Sequence, residues 1–269
     1  MVKENIGFIG GGNMGEAIIK GLLKANVVRA NQIHVCDIRK ERLAYLQKTY
    51  HIQTTEKIGD LVGNVHIIVL AVKPQDLGSV LEEIKDKITP QQLLISIAAG
   101  ISTQYIESFL PEEIPVVRVM PNTPALVLAG MSALTPGEFA TEEHLKVAET
   151  LFKAIGETVI VPEKLMDAIT GLSGSGPAYV AVMIEAMADG GVKMGLPRPV
   201  ALKLAAQTAL GTAKLLLDTG MHPGQLKDMV SSPGGTTIAG LHIMEIGGIR
   251  GIIMEAIERA TQRAQELES

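Results

Sequence analysis

Ile6-Gly7-Phe8-Ile9-Gly10-Gly11-Gly12-Asn13-Met14-Gly15 decides the fold of this 269-residue chain. A short apolar run reads as a buried strand, and a G-x-G-x-x-G turn follows it directly and opens a helix predicted over Asn13 to Lys24. In that setting each glycine has a task. One makes the tight turn, one lets the backbone approach a pyrophosphate, and one lets the helix pack closely on the strand. The helix N-terminus then aims free N–H groups and a positive dipole end at the phosphates. Gly10, Gly11, Gly12, Asn13, Met14 and Gly15 are therefore expected to hold a dinucleotide.

Outward from this turn, strands and helices alternate up to Val161. Strands are predicted at Ile6 to Ile9, Ile33 to Cys36, Ile67 to Ala71, Leu93 to Ile97, Val116 to Val119 and Thr158 to Val161. Helices fall between them at about Asn13 to Lys24, Lys40 to Tyr50, Leu77 to Ile84, Thr103 to Phe109 and Glu142 to Ile155, the last with Thr141 as N-cap and Gly156 as stop. Alternation of this kind gives an α/β fold, a doubly wound, mostly parallel sheet of the Rossmann type covered by helices on both faces. After Pro162 the strands vanish, and helices broken at glycine and proline clusters run to the end. The expected division is residues 1–162 for the dinucleotide-binding domain and 163–269 for an all-helical domain. Stretches such as Ala205-Ala206-Gln207-Thr208-Ala209-Leu210-Gly211 let helices pack closely but supply little bulk for an independent core. Such helices are expected to complete their burial against another subunit.

Composition excludes several classes. A net charge of −5 and 3% aromatic residues argue against a nucleic-acid face. The single cysteine, Cys36, forms no internal disulfide, and a Gly-rich turn beginning at Gly10 leaves no room for a secretory signal, so a cytoplasmic location is expected. The best apolar run, Val65 to Val72, is strand length, contains His66 and falls far below the roughly 20 residues of a membrane span, so no membrane association is expected. The histidines are scattered without a zinc spacing, and no metal site is expected. The ligand is expected to be small.

Other residues join the cofactor set by position. Asp37 ends the second predicted strand, where an acid hydrogen-bonds the adenosine ribose of NAD(H). Arg39, Lys40 and Arg42 follow at once and are suited to the extra phosphate of NADP(H), so both NADPH and NADH stay open. Ala71-Val72-Lys73-Pro74 and Ser96-Ile97-Ala98-Ala99-Gly100 lie at strand ends on the ligand edge of such sheets. Ala71, Val72, Lys73, Pro74, Ala98 and Ala99 are assigned to the nicotinamide side. Asn122, in the rigid turn Met120-Pro121-Asn122-Thr123-Pro124, is the candidate there for a buried hydrogen bond. Ser173-Gly174-Ser175-Gly176-Pro177 reads as a hinge and helix start.

The last motif is Ser231-Ser232-Pro233-Gly234-Gly235-Thr236-Thr237. Proline and two glycines must stop one helix by Ser232 and allow another from Thr236, whose first-turn amides suit an anion. Taken in order with the earlier motifs, with Gly171-Leu172-Ser173-Gly174-Ser175-Gly176-Pro177-Ala178-Tyr179 and with His222-Pro223-Gly224-Gln225-Leu226-Lys227-Asp228, it makes the chain resemble pyrroline-5-carboxylate reductases over nearly its whole length. Two positions depart from many of that family: Asp37 stands in place of a small polar residue, and Ile58 in place of an asparagine.

The resemblance implies reduction of the cyclic imine 1-pyrroline-5-carboxylate to L-proline by NADPH or NADH, the final step of proline biosynthesis. It also implies a homodimer with interlocked helical domains, commonly built up to a decamer of five dimers. On that reading Ser231, Gly234, Gly235, Thr236 and Thr237 bind the substrate: the Gly234, Gly235 and Thr236 amides take its carboxylate with Ser231 in support, and Thr237 is the catalytic candidate beside the ring nitrogen.

Overall fold

A computed structural model describes residues 2–268. The strands are β1 (Ile6–Ile9), β2 (Ile33–Cys36), β3 (Gln53–Thr55), β4 (Ile67–Leu70), β5 (Leu93–Ser96), β6 (Val116–Met120), β7 (Gly130–Pro136) and β8 (Gly156–Ile160). They form one sheet in the order β3-β2-β1-β4-β5-β6-β7-β8. All neighbours run parallel except β6 and β7, which are antiparallel. The order reverses between β1 and β4, so their carboxyl ends flank the crevice in which doubly wound sheets bind ligands.

Helices α1 (Asn13–Lys24), α2 (Lys40–Tyr50), α3 (Ile58–Val62), α4 (Pro74–Ile84), α5 (Thr103–Glu107) and α6 (Glu142–Lys153) connect the strands. Side-chain alternation sorts the core into two layers. Ile6, Phe8, Ile67, Val69, Leu93 and Ile95 pack with Ile18 and Leu22 of α1, Leu46 of α2 and Phe152 of α6. Ile9, Ile68, Leu70 and Leu94 pack on the other face with Leu61 of α3, Leu77 and Leu81 of α4 and Ile106 of α5. A period of two through fully buried strands puts consecutive residues into opposite layers.

Two strands escape the sequence reading. Gln-Thr-Thr of β3 is a short polar strand at the sheet's end, without the apolar run that marks a buried one. In β7, Gly-Met-Ser-Ala-Leu-Thr-Pro is bounded by two residues that read as breakers. Antiparallel pairing with β6 overrides that local preference. Thr141 caps α6 as expected, its side chain accepting the His144 amide. Gly156 is the first residue of β8, at φ 147°.

Beyond Pro162 come α7 (Met166–Ile169), a π-helical turn at Thr170–Gly174, α8 (Gly176–Lys193), α9 (Arg198–Thr219), α10 (Pro223–Met229), α11 (Thr236–Ile246) and α12 (Ile249–Glu268). By packing, residues up to Gly174 and those from Arg259 onward form one compact unit, and Ser175–Glu258 form the other. The expected border at 162 marks where strands end; the packing border lies a little later, after the π-helical turn.

The second unit buries little of its own apolar surface. Its core cluster is Ala188, Ala201 and Ala205, while Leu217 is 83% exposed and Ile246 70%. By length and composition alone α9 is apolar enough to cross a membrane, with a mean hydropathy of 1.3, and α11 with α12 passes the same test as a bent pair. Lys203, Gln207 and Lys214 interrupt the apolar residues of α9, so it holds no long unbroken apolar run.

Candidate active site

The turn after β1 assigns each glycine a separate physical role. Gly10 sits at φ 100°, and a Cβ there would lie 2.5 Å from the Ala71 carbonyl oxygen. Its N–H donates to the Cys36 carbonyl at 2.8 Å, tying the ends of β1 and β2 together. At Gly15 a Cβ would lie 2.8 Å from the Gly10 carbonyl oxygen. Gly12 is different. Its φ of −66° and ψ of −173° suit any residue, and a Cβ there would meet nothing within 4 Å.

Nothing in the protein requires glycine at position 12, but a close-lying pyrophosphate would. Gly12 caps α1 without a side-chain hydrogen bond. The amides of Asn13, Met14 and Gly15 therefore have no acceptor within the helix and suit phosphate oxygens. These features fit a dinucleotide.

Asp37, 8% exposed, anchors the turn from the end of β2. Its Oδ2 accepts the Gly11 N–H at 2.9 Å and the Arg39 guanidinium at 3.0 Å, and its Oδ1 accepts the Arg39 amide at 2.9 Å and Arg39 Nε at 3.0 Å. Burial raises the carboxyl pKa, but the hydrogen bonds from the Arg39 side chain and from the Arg39 and Gly11 amides outweigh it, so Asp37 stays below the usual carboxylate range.

A second network lies behind the loop. The Arg42 guanidinium donates to the Gly11 and Gly12 carbonyls and to Glu16. Glu16 also accepts Tyr45 Oη at 3.0 Å and Tyr50 Oη at 2.8 Å. Burial opposes ionisation of Glu16, yet hydrogen bonds from Arg42, Tyr50 and Tyr45 hold its pKa below the ordinary value. Burial and the hydrogen bond to Glu16 push Tyr50 up to about 12.

Arg42 was expected to be available to a ribose phosphate. The structure corrects this, because its guanidinium is committed to the loop carbonyls and Glu16. The reason is spatial: α2 runs beside the loop, and position 42 points at residues about thirty places earlier.

A cleft of about 580 Å³ opens over the turn, lined among others by Gly10, Gly12, Asn13, Asp37, Arg39, Ala71, Val72 and Lys73. Gly11, Met14, Gly15, Pro74, Ala98, Ala99 and Asn122 lie outside that lining. Pro74 is the first residue of α4, and Ala98 is buried with its amide donating to Ser96 Oγ at 3.3 Å. Asn122 turns inward: its Nδ2 donates to the Ser173 carbonyl at 3.2 Å and Oγ at 3.3 Å, and its Oδ1 accepts the Met131 amide at 2.9 Å. Its carboxamide thus fixes the π-helical turn rather than reaching outward. Sequence reasoning missed Ile38, Glu56, Asp76 and Glu83, which also line the cleft. They come from separate elements, with no local spacing that would group them.

In the second unit, α10 ends at Met229 and α11 begins at Thr236, as the proline and glycines require. Gly234 adopts φ 68°, and a Cβ there would meet nothing within 4 Å. Two donors expected for a ligand are engaged inside the loop. The Gly235 N–H donates to the Ser232 carbonyl at 3.0 Å, and the Ser231 hydroxyl donates to the Lys227 carbonyl at 2.6 Å. Gly235 caps α11 without a side-chain hydrogen bond, which leaves the amides of Thr236 and Thr237 with no acceptor in the helix.

Residues 5–100 match the family described as NADP oxidoreductase, coenzyme F420-dependent, and residues 163–267 match that described as pyrroline-5-carboxylate reductase dimerisation. The pyrroline-5-carboxylate reductase of Methanosarcina acetivorans is 51% identical over 267 residues, 99% of each chain. A solved pyrroline-5-carboxylate reductase from Coxiella burnetii superposes with a TM-score of 0.93 at 37% identity, covering both chains completely. That of Plasmodium falciparum, solved with NADP bound, gives 0.90 at 33% identity, again over both whole chains. On full-length similarity of both sequence and structure, this chain belongs to the pyrroline-5-carboxylate reductase family.

Proposed function

We propose that the Ser231–Thr237 turn cradles the carboxylate of 1-pyrroline-5-carboxylate, with Thr237 hydrogen-bonded to the ring nitrogen. As a pyrroline-5-carboxylate reductase, the chain reduces this cyclic imine to L-proline, the last step of proline biosynthesis, with NADPH or NADH. The observation that carries the site assignment is the start of α11. Its N-cap is a glycine with no side-chain cap, so first-turn amides remain for an anion.

A single carboxylate on the Thr236 and Thr237 amides fixes the ring by positioning, and Gly234 allows close approach because its Cβ space is open. Ser231 supports the cradle by bonding Lys227, and Gly235 by closing the turn on Ser232. A reduced nicotinamide supplies the hydride. The Thr237 hydroxyl donates to or accepts from the nitrogen as it changes from iminium to amine.

In the first unit, Gly10, Gly11, Gly12, Asn13, Met14 and Gly15 place the pyrophosphate, Asp37 and Arg39 face the adenosine ribose, and Ala71, Val72 and Lys73 line the neighbouring strand end. Pro74, Ala98, Ala99 and Asn122 shape that edge from behind.

The chain forms homo-oligomers through its dimerisation region. The exposed Leu217, Ile243 and Ile246 of the helical unit suit a dimer interface, and assembly to a decamer and a cytoplasmic location complete the proposal. The test is to incubate purified protein with pyrroline-5-carboxylate and each reduced cofactor, following nicotinamide absorbance. Thr237→Ala should lower turnover by roughly 10–150-fold, the worth of one hydrogen bond to a charged group, while dinucleotide affinity holds. An unchanged rate would remove Thr237 from the mechanism.

A further inference from the structure

We infer that the adenosine end of the cleft selects NADH over NADPH, with Asp37 as the discriminating residue and carboxylate partners already engaging the neighbouring cations. The inference rests on the reading of the Gly10–Gly15 turn as a dinucleotide site and goes beyond it to cofactor choice.

A 2′-phosphate adds a second negative group beside the ribose, and a site accepts it by offering free cations there. Each of the three cations following β2 is paired. Arg39 meets Asp37 at 3.0 Å, Lys40 meets Glu56 at 3.0 Å, and Arg42 meets Glu16. These pairs differ in strength. Arg42 and Glu16 are mostly buried and also hold the loop carbonyls, so Arg42 does not swing out. Lys40 and Glu56 are exposed, and their pair is weak.

Of these three cations Arg39 alone lines the cleft, and its side chain is 60% exposed. It is free to move, but moving it uncovers the carboxylate of Asp37. That exchange favours one cofactor. When Arg39 leaves, Asp37 offers acceptors to the two hydroxyls of an unphosphorylated ribose. To a 2′-phosphate it offers a negative charge that cannot retreat, because Gly11 N–H and the Arg39 amide still fix it.

Acids predominate in the rest of the lining, where Lys73, after β4, is the further cation. Glu56, Asp76 and Glu83 add acids, and Ile38 and Ile58 supply no donor. The device is repulsion of the wrong ligand more than attraction of the right one.

The test titrates the full-length protein with NADH and with NADPH, followed by nicotinamide fluorescence, and with ADP-ribose and its 2′-phosphate by calorimetry. NADH and ADP-ribose should bind about tenfold or more tightly than their phosphorylated counterparts. Asp37→Ser removes the charge and frees Arg39, and should move the ratio toward NADPH by about tenfold or more. Glu56→Gln, at an exposed position that leaves the fold intact, frees Lys40 and should move it by roughly two- to threefold, as expected for a surface charge.

Equal or tighter binding of NADPH by the unaltered protein overturns the inference, as does a ratio unmoved in both variants. If none of the four probes binds, the dinucleotide reading itself fails and the inference falls with it.

Discussion

Replacing Gly12 by alanine separates ligand requirements from folding requirements within a single six-residue turn. The backbone at Gly12 is in an ordinary extended conformation, and an added Cβ touches nothing within 4 Å. Alanine would gain about 0.4–1 kcal/mol by restricting the unfolded chain. It would lose about 0.5–1 kcal/mol as a poorer N-cap. The two nearly cancel, so the unfolding midpoint should stay near that of the unaltered protein.

Gly10→Ala should behave in the opposite way. Its φ of 100° costs about 1–3 kcal/mol for a residue with a Cβ. The 2.5 Å approach to the Ala71 carbonyl adds about 1–3 kcal/mol, since backbone on both sides resists moving. For ligand binding the order reverses. A methyl group at position 12 stands where the pyrophosphate must approach, and losing one charge-assisted hydrogen bond, about 1.5–3 kcal/mol, weakens dinucleotide binding roughly 10–150-fold. Urea denaturation and calorimetric titration with NADH, run on both variants, measure the two effects separately. Normal dinucleotide affinity in Gly12→Ala, or destabilisation as large as in Gly10→Ala, would refute the assignment of Gly12 to the phosphates.

Two further predictions concern ionisable groups. Asp37 and Glu16 both have folded-state pKa values below their ordinary ones. Their contribution to stability is therefore present above the unfolded values of about 3.9 and 4.3 and is lost as pH falls through the lower folded values. Glu16→Gln should flatten the fall in urea midpoint below about pH 4, and an acid limb as steep as before would show that Glu16 is not among the groups responsible. Arg118 is a buried cation, its side chain 3% exposed, at 3.0 Å from Glu163 and 3.8 Å from Asp167. Arg118→Met should cost about 3–5 kcal/mol by leaving these carboxylates without their partner, with part of the loss recovered in the double variant Arg118→Met, Glu163→Gln. A cost below about 1 kcal/mol would place the pair among the weak surface type.

Much of the first unit is legible because its signals are local. Asn13–Lys24 and Lys40–Tyr50 have the same bounds in sequence and structure, since caps, glycines and apolar spacing act within a few residues. The break before Thr236 is legible for the same reason, because proline and glycine restrict their own dihedrals. β3 and β7 were not legible, since a neighbouring strand far along the chain supplies the hydrogen bonds that make them strands. Asn122 read as a polar turn residue, and only the fold reveals that its carboxamide holds Ser173 and Met131.

The sequence by itself determined the strand, glycine turn and helix that make a dinucleotide site, the helical second half and the resemblance to a family of imine reductases. Tertiary structure decided which glycine answers to a ligand and which to packing, because that depends on the atoms a Cβ would meet. It also decided how the charges pair. Arg39, Lys40 and Arg42 are near neighbours in sequence, yet the paths of β2, β3, α1 and α2 turn them toward Asp37, Glu56 and Glu16 respectively. Charge complementarity is set by distances of a few ångströms between elements, and residue spacing along the chain does not encode those distances.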